Sequence, residues 1–116
     1  MRTESFQRIL VTGATGYIGG RLVPRLLDAG HLVRCFVRDP ERLRDFSWAG
    51  RVEIARGDAL DLQSLVKAMQ GITIAYYLIH GMQGSRADAE RDLRAARNFA
   101  SAAEIVGIQR IIYFGE

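Results

Sequence analysis

A chain of 116 residues, 48% apolar and 25% charged, has room for a single domain with a real core and does not belong to the disordered class. Its net charge of +3 comes from arginines scattered along the chain, with Lys67 the single lysine, so a basic stripe for nucleic acid is not expected. The lone cysteine, Cys35, excludes an internal disulfide framework and reads as a small buried hydrophobe. Residues 1–8 carry no apolar signal region, and the longest apolar run, 72–79, is far too short to span a bilayer. A soluble cytoplasmic protein without nucleic-acid or membrane partners is expected.

In chain order the pattern alternates. A β-branched apolar run at about residues 8–12 predicts a first strand, and Ile18, Leu22, Leu26 and Leu27 recur at helical spacing over about 17–29, closed by Gly30. Pro24 lies inside that helix, removes the bond to the Gly20 carbonyl and predicts a local bend. A second strand is expected at 31–37 and a short helix at 41–46; Trp48 is expected to cover the sheet edge. A third strand follows at about 52–55. Leu62, Leu65, Val66 and Met69 fall at i, i+3, i+4 and i+7 and make one apolar helical face ended by Gly71. The fourth strand, 72–79, is continuously apolar, the pattern of a parallel strand covered on both faces, with Tyr76 and Tyr77 as packing residues. After a polar loop, 80–86, a long helix over 87–106 is expected to lie on the sheet through Leu93, Ala96, Ala100, Ala103 and Gly107, before a fifth strand at 110–114. Five strands with intervening helices make an α/β, doubly wound parallel sheet of order 3-2-1-4-5, with a ligand at the carboxyl ends of the strands, near the switch between strands one and four.

Gly13, Gly16 and Gly19 fit G-x-x-G-x-x-G at the junction of the first strand and helix. Such spacing has meaning only with a strand before and a helix after, and both are present. One glycine permits the sharp turn, the next lets backbone approach a pyrophosphate, and the third allows close helix packing, while the helix's positive end faces the phosphates. About 20 residues on, Arg38 is the first polar side chain off the second strand, which favours NADP over NAD because an arginine there accommodates the 2′-phosphate. Asp39 reads as the cap ahead of Pro40 and Glu41, with ribose binding as the alternative. Asp58 is open between accepting from the adenine amine, with the Ala59 backbone serving a ring nitrogen, and capping the next helix; Asp61 reads as a cap. Leu78, Ile79 and His80 are expected on the ribose and nicotinamide side of the groove. For His80 a structural hydrogen bond is the alternative.

These stretches, Thr12–Gly19, Val37–Pro40, Gly57–Asp58, Ala75–Ile79, Asn98 and Arg110–Tyr113, together resemble the N-terminal half of an atypical or extended short-chain dehydrogenase/reductase, nearest to the NmrA-like, sugar-nucleotide epimerase-like NAD(P)-binding proteins. The resemblance implies a Rossmann domain whose cofactor contacts fall on Gly13, Thr15, Gly16, Tyr17, Ile18, Gly19, Arg38, Asp58, Ala59, Leu78, Ile79 and His80. It implies no catalytic or metal-binding residue in this chain. Catalytic members carry a Tyr-x-x-x-Lys pair, and here Tyr17, Tyr76 and Tyr77 are followed four residues on by Arg21, His80 and Gly81. Where many relatives have Ser after strand five, this chain has Gly115 and Glu116. A longer parent protein is therefore expected, either an NADP-dependent oxidoreductase or epimerase or, as the alternative, a non-catalytic dinucleotide sensor. The uncovered edge of strand five predicts self-association.

Overall fold

The computed structural model describes residues 6–78 and 85–114. Five strands, β1 (Arg8–Thr12), β2 (Leu32–Val37), β3 (Glu53–Arg56), β4 (Ile74–Tyr77) and β5 (Arg110–Tyr113), form one wholly parallel sheet of order β3-β2-β1-β4-β5. The helices are α1 (Tyr17–Asp28), α2 (Leu62–Ala68) and α3 (Arg86–Val106), with 3-10 turns at Pro40–Leu43 and Ala49–Arg51. The expected topology and sheet type are those observed.

Strand alternation assigns each side chain to a layer. Leu10 of β1 and Phe36 of β2 enter a cluster with Leu65, Met69, Ala75 and Phe99, beneath α2 and α3. Ile9 and Val11, with Val33, Cys35 and Val37, enter a second cluster with Val23, Leu43 and Trp48, beneath α1 and the first 3-10 turn. Both faces of the central strands are thus covered, as their unbroken apolar runs require. Cys35 is fully buried, and burial pushes its thiol up to about 12.

The ends are capped as the residue types dictate. Asp61 accepts from the Gln63 N–H at 3.2 Å, Asp39 from the Glu41 N–H at 3.1 Å, and Ser85 with Asp88 forms a reciprocal capping box on α3. Gly30, at φ 93°, follows the last turn of α1. Arg34 fastens the opposite rim of the sheet: Nε donates to Glu53 at 2.9 Å and Nη1 to the Ala68 and Gln70 carbonyls at 2.6 and 2.7 Å, at the electronegative end of α2.

α1 is a single helix with Pro24 inside it. The carbonyl of Gly20 that Pro24 deprives of its usual donor is instead met by the Trp48 indole N–H at 3.3 Å. Trp48 accordingly is not an edge cover; it is buried under α1 and stacked on Phe46 with ring centroids 4.7 Å apart. α3 buries Ala95, Phe99, Ala102 and Ala103, while Leu93 is 51% exposed and Gly107 is a left-handed cap at φ 89°. Of the expected stripe, Ala103 is buried and Ala96 packs against the same cluster, while Ala100 is exposed; Phe99, the largest apolar side chain on the helix, is fully buried on the inward face. β4 is shorter than its apolar run, since Ile72 is buried before the strand begins. On β5, Tyr113 and Phe114 are more than half exposed.

Candidate functional site

The carboxyl ends of β1, β2 and β3 open into a cleft of about 540 Å³. Its walls are Thr12–Thr15, Phe36–Asp39 with Arg42, Asp58–Leu60, and Arg91, Asp92 and Ala95 of α3. Both layers contribute: the turn bearing Arg42 belongs to the α1 side of the sheet, and Arg91 to the α3 side.

At the end of β1 the chain reverses through Gly13, whose φ of 100° L side chains rarely adopt. The Gly16 N–H donates to the Gly13 carbonyl at 3.1 Å and closes the turn. Gly19 lies so close to that turn that an added Cβ would fall 2.2 Å from the Gly13 oxygen and 2.7 Å from Ala14 Cα. The third glycine therefore serves contact between helix and turn, a closer partner than the sheet. Gly16 is different. A Cβ there would meet nothing nearer than 3.5 Å, and its φ of −81° suits any residue. Gly16 also provides no side-chain cap to α1, whose first turn contains no acidic residue. Among the described residues no side-chain cap bond is made to the first N–H groups of α1, which stand at the positive end of the helix dipole. The buried Thr12 hydroxyl beside them has no hydrogen-bond partner among the described residues.

At the end of β2, Arg38 and Arg42 are exposed on the cleft and make no ion pair among the described residues. Asp39 beside them has one carboxylate oxygen committed to its cap. At the end of β3 the loop is held from within. One Asp58 oxygen accepts from the Leu60 N–H at 2.9 Å, the Asp58 N–H donates to Ser64 Oγ at 3.1 Å, and Ser64 donates back to the Asp58 carbonyl. A Cβ on Gly57 would fall 2.6 Å from the Phe36 ring and 2.8 Å from Ser64 Oγ, so a larger residue would force these side chains to shift. From α3, Asn98 donates to the Ala59 carbonyl at 2.9 Å and ties the loop to the helix. The cap of α2 is Asp61, which leaves the second Asp58 oxygen outside that duty.

Of the residues singled out by sequence, Gly13, Thr15, Arg38, Asp58 and Ala59 line the cleft. Gly16 and Gly19 shape the adjoining turn. Tyr17, 73% exposed, turns outward and carries the Arg21 guanidinium 4.2 Å over its ring, and Ile18 is also exposed. Leu78 is 7% exposed and packs into the core with Ile9 and Val11, away from the cleft wall. Ile79 and His80 lie outside the described residues. Tyr77 packs against Phe99 at 4.6 Å and Tyr113 at 5.8 Å; burial, then the Asp92 carboxylate and Tyr113, raise the pKa of its hydroxyl. Sequence reading missed Arg42, Arg91, Asp92 and Ala95. Arg42, four residues past Arg38 in the turn capped by Asp39, was open to inference, whereas Arg91 is one of several arginines along α3 and nothing local distinguishes it.

Uncapped amides at a helix N-terminus, a glycine with open space before it and two unpaired guanidiniums suit a ligand with more than one phosphate group and an edge-recognised base. Known proteins agree. A family model described as NAD(P)H-binding matches residues 13–116. The chain is 32% identical over 121 residues to a 3 beta-hydroxysteroid dehydrogenase/Delta 5-->4-isomerase of Mycobacterium tuberculosis, covering 96% of this chain and 32% of that protein. It is 32% identical to cinnamoyl-CoA reductase 1 of Petunia hybrida, covering 97% of this chain and 36% of that one. The solved structure of Citrobacter sp. triphenylmethane reductase complexed with NADP(H) superposes with a TM-score of 0.72 at 30% identity, covering 91% of this chain and 36% of that one. The chain thus spans about a third of the length of the curated relatives it matches. Among the described residues no helix is long and apolar enough to cross a membrane. By the family match and the geometry of its cleft, the chain belongs to the NAD(P)H-binding family, as an NAD(P)-binding domain of the short-chain dehydrogenase/reductase type.

Proposed function

We propose that the chain is the cofactor-binding half of an NADPH-dependent oxidoreductase or epimerase of the short-chain type, with NADH as the weaker ligand. The observation that carries the NADP preference is the unpaired pair Arg38 and Arg42 at the end of β2, where the neighbouring Asp39 is occupied as a cap. The amides over Gly13–Gly19, including those of Thr15, Tyr17 and Ile18, hold the diphosphate, and Gly16 leaves it room. Arg38 meets the 2′-phosphate. The free Asp58 oxygen accepts from the adenine amine and the Ala59 N–H donates to a ring nitrogen. Leu78, Ile79 and His80 serve the ribose and nicotinamide side, Leu78 as buried support.

When bound, the nicotinamide ring supplies hydride transfer; this chain's residues bind and orient it. No Tyr-x-x-x-Lys pair occurs in the 116 residues, so we assign them no proton transfer and expect no turnover from this chain alone. The oxidoreductase reading is preferred to a sensor because the relatives named above are dehydrogenases and reductases. The exposed Tyr113 and Phe114 support self-association along the β5 edge, to be read as concentration-dependent sedimentation.

The test is titration of NADPH and NADH against wild type and Arg38→Ala. A loss of about tenfold or more for NADPH, with NADH changed less than about twofold, is expected when a charge-assisted contact is removed. Equal losses for both overturn the assignment of Arg38. Absence of binding to wild type overturns the cofactor reading itself.

A further inference from the structure

Arg91 lines the cleft and is given no role in holding the diphosphate, the 2′-phosphate or the edge of the base. It projects from the second turn of α3 into the same cleft as Arg38, Arg42, Asp58 and Ala59, from the opposite layer of the sheet. We infer that Arg91 forms the far wall of the adenine site, its guanidinium plane lying against the face of the base. The inference rests on the reading of the cleft as a dinucleotide site and extends it to how the base is gripped.

The geometry separates three kinds of contact. Asp58 and Ala59 present a carboxylate oxygen and backbone, which suit the edge of a base. A base held by its edge leaves two flat faces, and the cleft offers them Val37 at the end of β2 with Arg38 just past it, and Arg91 with Ala95 from α3. Ala95 is small and 8% exposed, so it leaves the space beside Arg91 to the ligand. The phosphate role falls elsewhere. Arg38 and Arg42 are unpaired, whereas the Arg91 charge is already partly answered by Asp88, Nη1 to Oδ1 at 3.4 Å. Asp88 is itself anchored in the capping box with Ser85, so the carboxylate that meets the guanidinium is held in place. A guanidinium that is held at one nitrogen, is 57% exposed and lines the cleft is suited to stacking, which depends on planarity more than on net charge.

The experiment compares wild type, Arg91→Ala and Arg91→Lys in titrations with NADP and NAD, with thermal unfolding of each variant. Because the Arg91 side chain is 57% exposed, Arg91→Ala is expected to unfold at the wild-type midpoint. It is expected to weaken NADP and NAD equally, by about tenfold, the usual effect of removing a base-stacking partner. Arg91→Lys retains the charge without the plane and is expected to recover less than half of that loss. A loss confined to NADP, full rescue by lysine, no loss, or a clearly lowered midpoint would each overturn the inference. Failure of the wild type to bind either dinucleotide would instead remove the reading of the cleft on which it depends.

Discussion

Replacing Gly16 by serine should move stability and ligand affinity in opposite directions. The backbone at this position, φ −81° and ψ 179°, is available to serine, and a Cβ would meet only the Gly13 oxygen at 3.5 Å, an ordinary contact. Serine at an N-cap accepts from the first-turn N–H groups and is more favourable than glycine by a few tenths of a kcal/mol, so Gly16→Ser should be at least as stable as wild type. The same hydroxyl would occupy the space before the amides and consume one of them. A hydrogen bond to a charged group contributes about 1.5–3 kcal/mol, so losing one such contact to the diphosphate should weaken NADPH and NADH alike by about ten- to a hundredfold. Denaturant unfolding and fluorescence titration measure the two effects on one sample. A variant destabilised by more than about 1 kcal/mol would show that the fold itself demands glycine here; unchanged affinity would show that no phosphate approaches these amides. Gly19→Ala provides the contrast: with backbone atoms 2.2 and 2.7 Å from the new carbon, it should lose about 3 kcal/mol or fail to fold.

Two further outcomes concern the core. With its folded pKa about 12 against an ordinary 9.0, Cys35 keeps its proton in the native state while the unfolded chain gives it up above pH 9. Its contribution to stability is therefore complete below pH 9 and declines toward pH 12 by up to about 1.4 kcal/mol per pH unit. Cys35→Ala should show a shallower alkaline decline than wild type in denaturant titrations, and parallel curves between pH 9 and 11 would refute this. Phe99 is fully buried against Tyr77, so Phe99→Ala should cost about 3–5 kcal/mol, whereas Leu93→Ala, on the exposed face, should stay within about 0.5 kcal/mol. Comparable losses in the two variants would contradict the orientation of α3.

The strand-to-helix placement of the glycines was legible because it depends on local pattern, β-branched runs broken by glycine and apolar spacing that switches from continuous to helical; strand order followed from the right-handed crossover rule applied to alternating strands and helices. The caps at Asp39 and Asp61 were legible for the same reason, being contacts between near neighbours. What escaped was set by distance in the chain. Which face of α3 turned inward depended on fitting Phe99 beside Tyr77, 22 positions away, and small residues at regular spacing could not reveal it. The glycines show the same division. Their spacing points to a phosphate turn, yet only the surrounding atoms distinguish Gly19, where a side chain cannot fit, from Gly16, where one could. Arg91 is a third case, since the cleft residues it faces from other elements lie more than 30 positions away along the chain.

The bond from Trp48 to the Gly20 carbonyl gives the protein a built-in optical gauge. Trp48 is the only indole in the chain, and it reports on the helix that follows the glycine turn. Its emission wavelength should reveal whether that helix is seated, and a red shift ahead of global melting would mark the glycine turn as the first part of the domain to loosen.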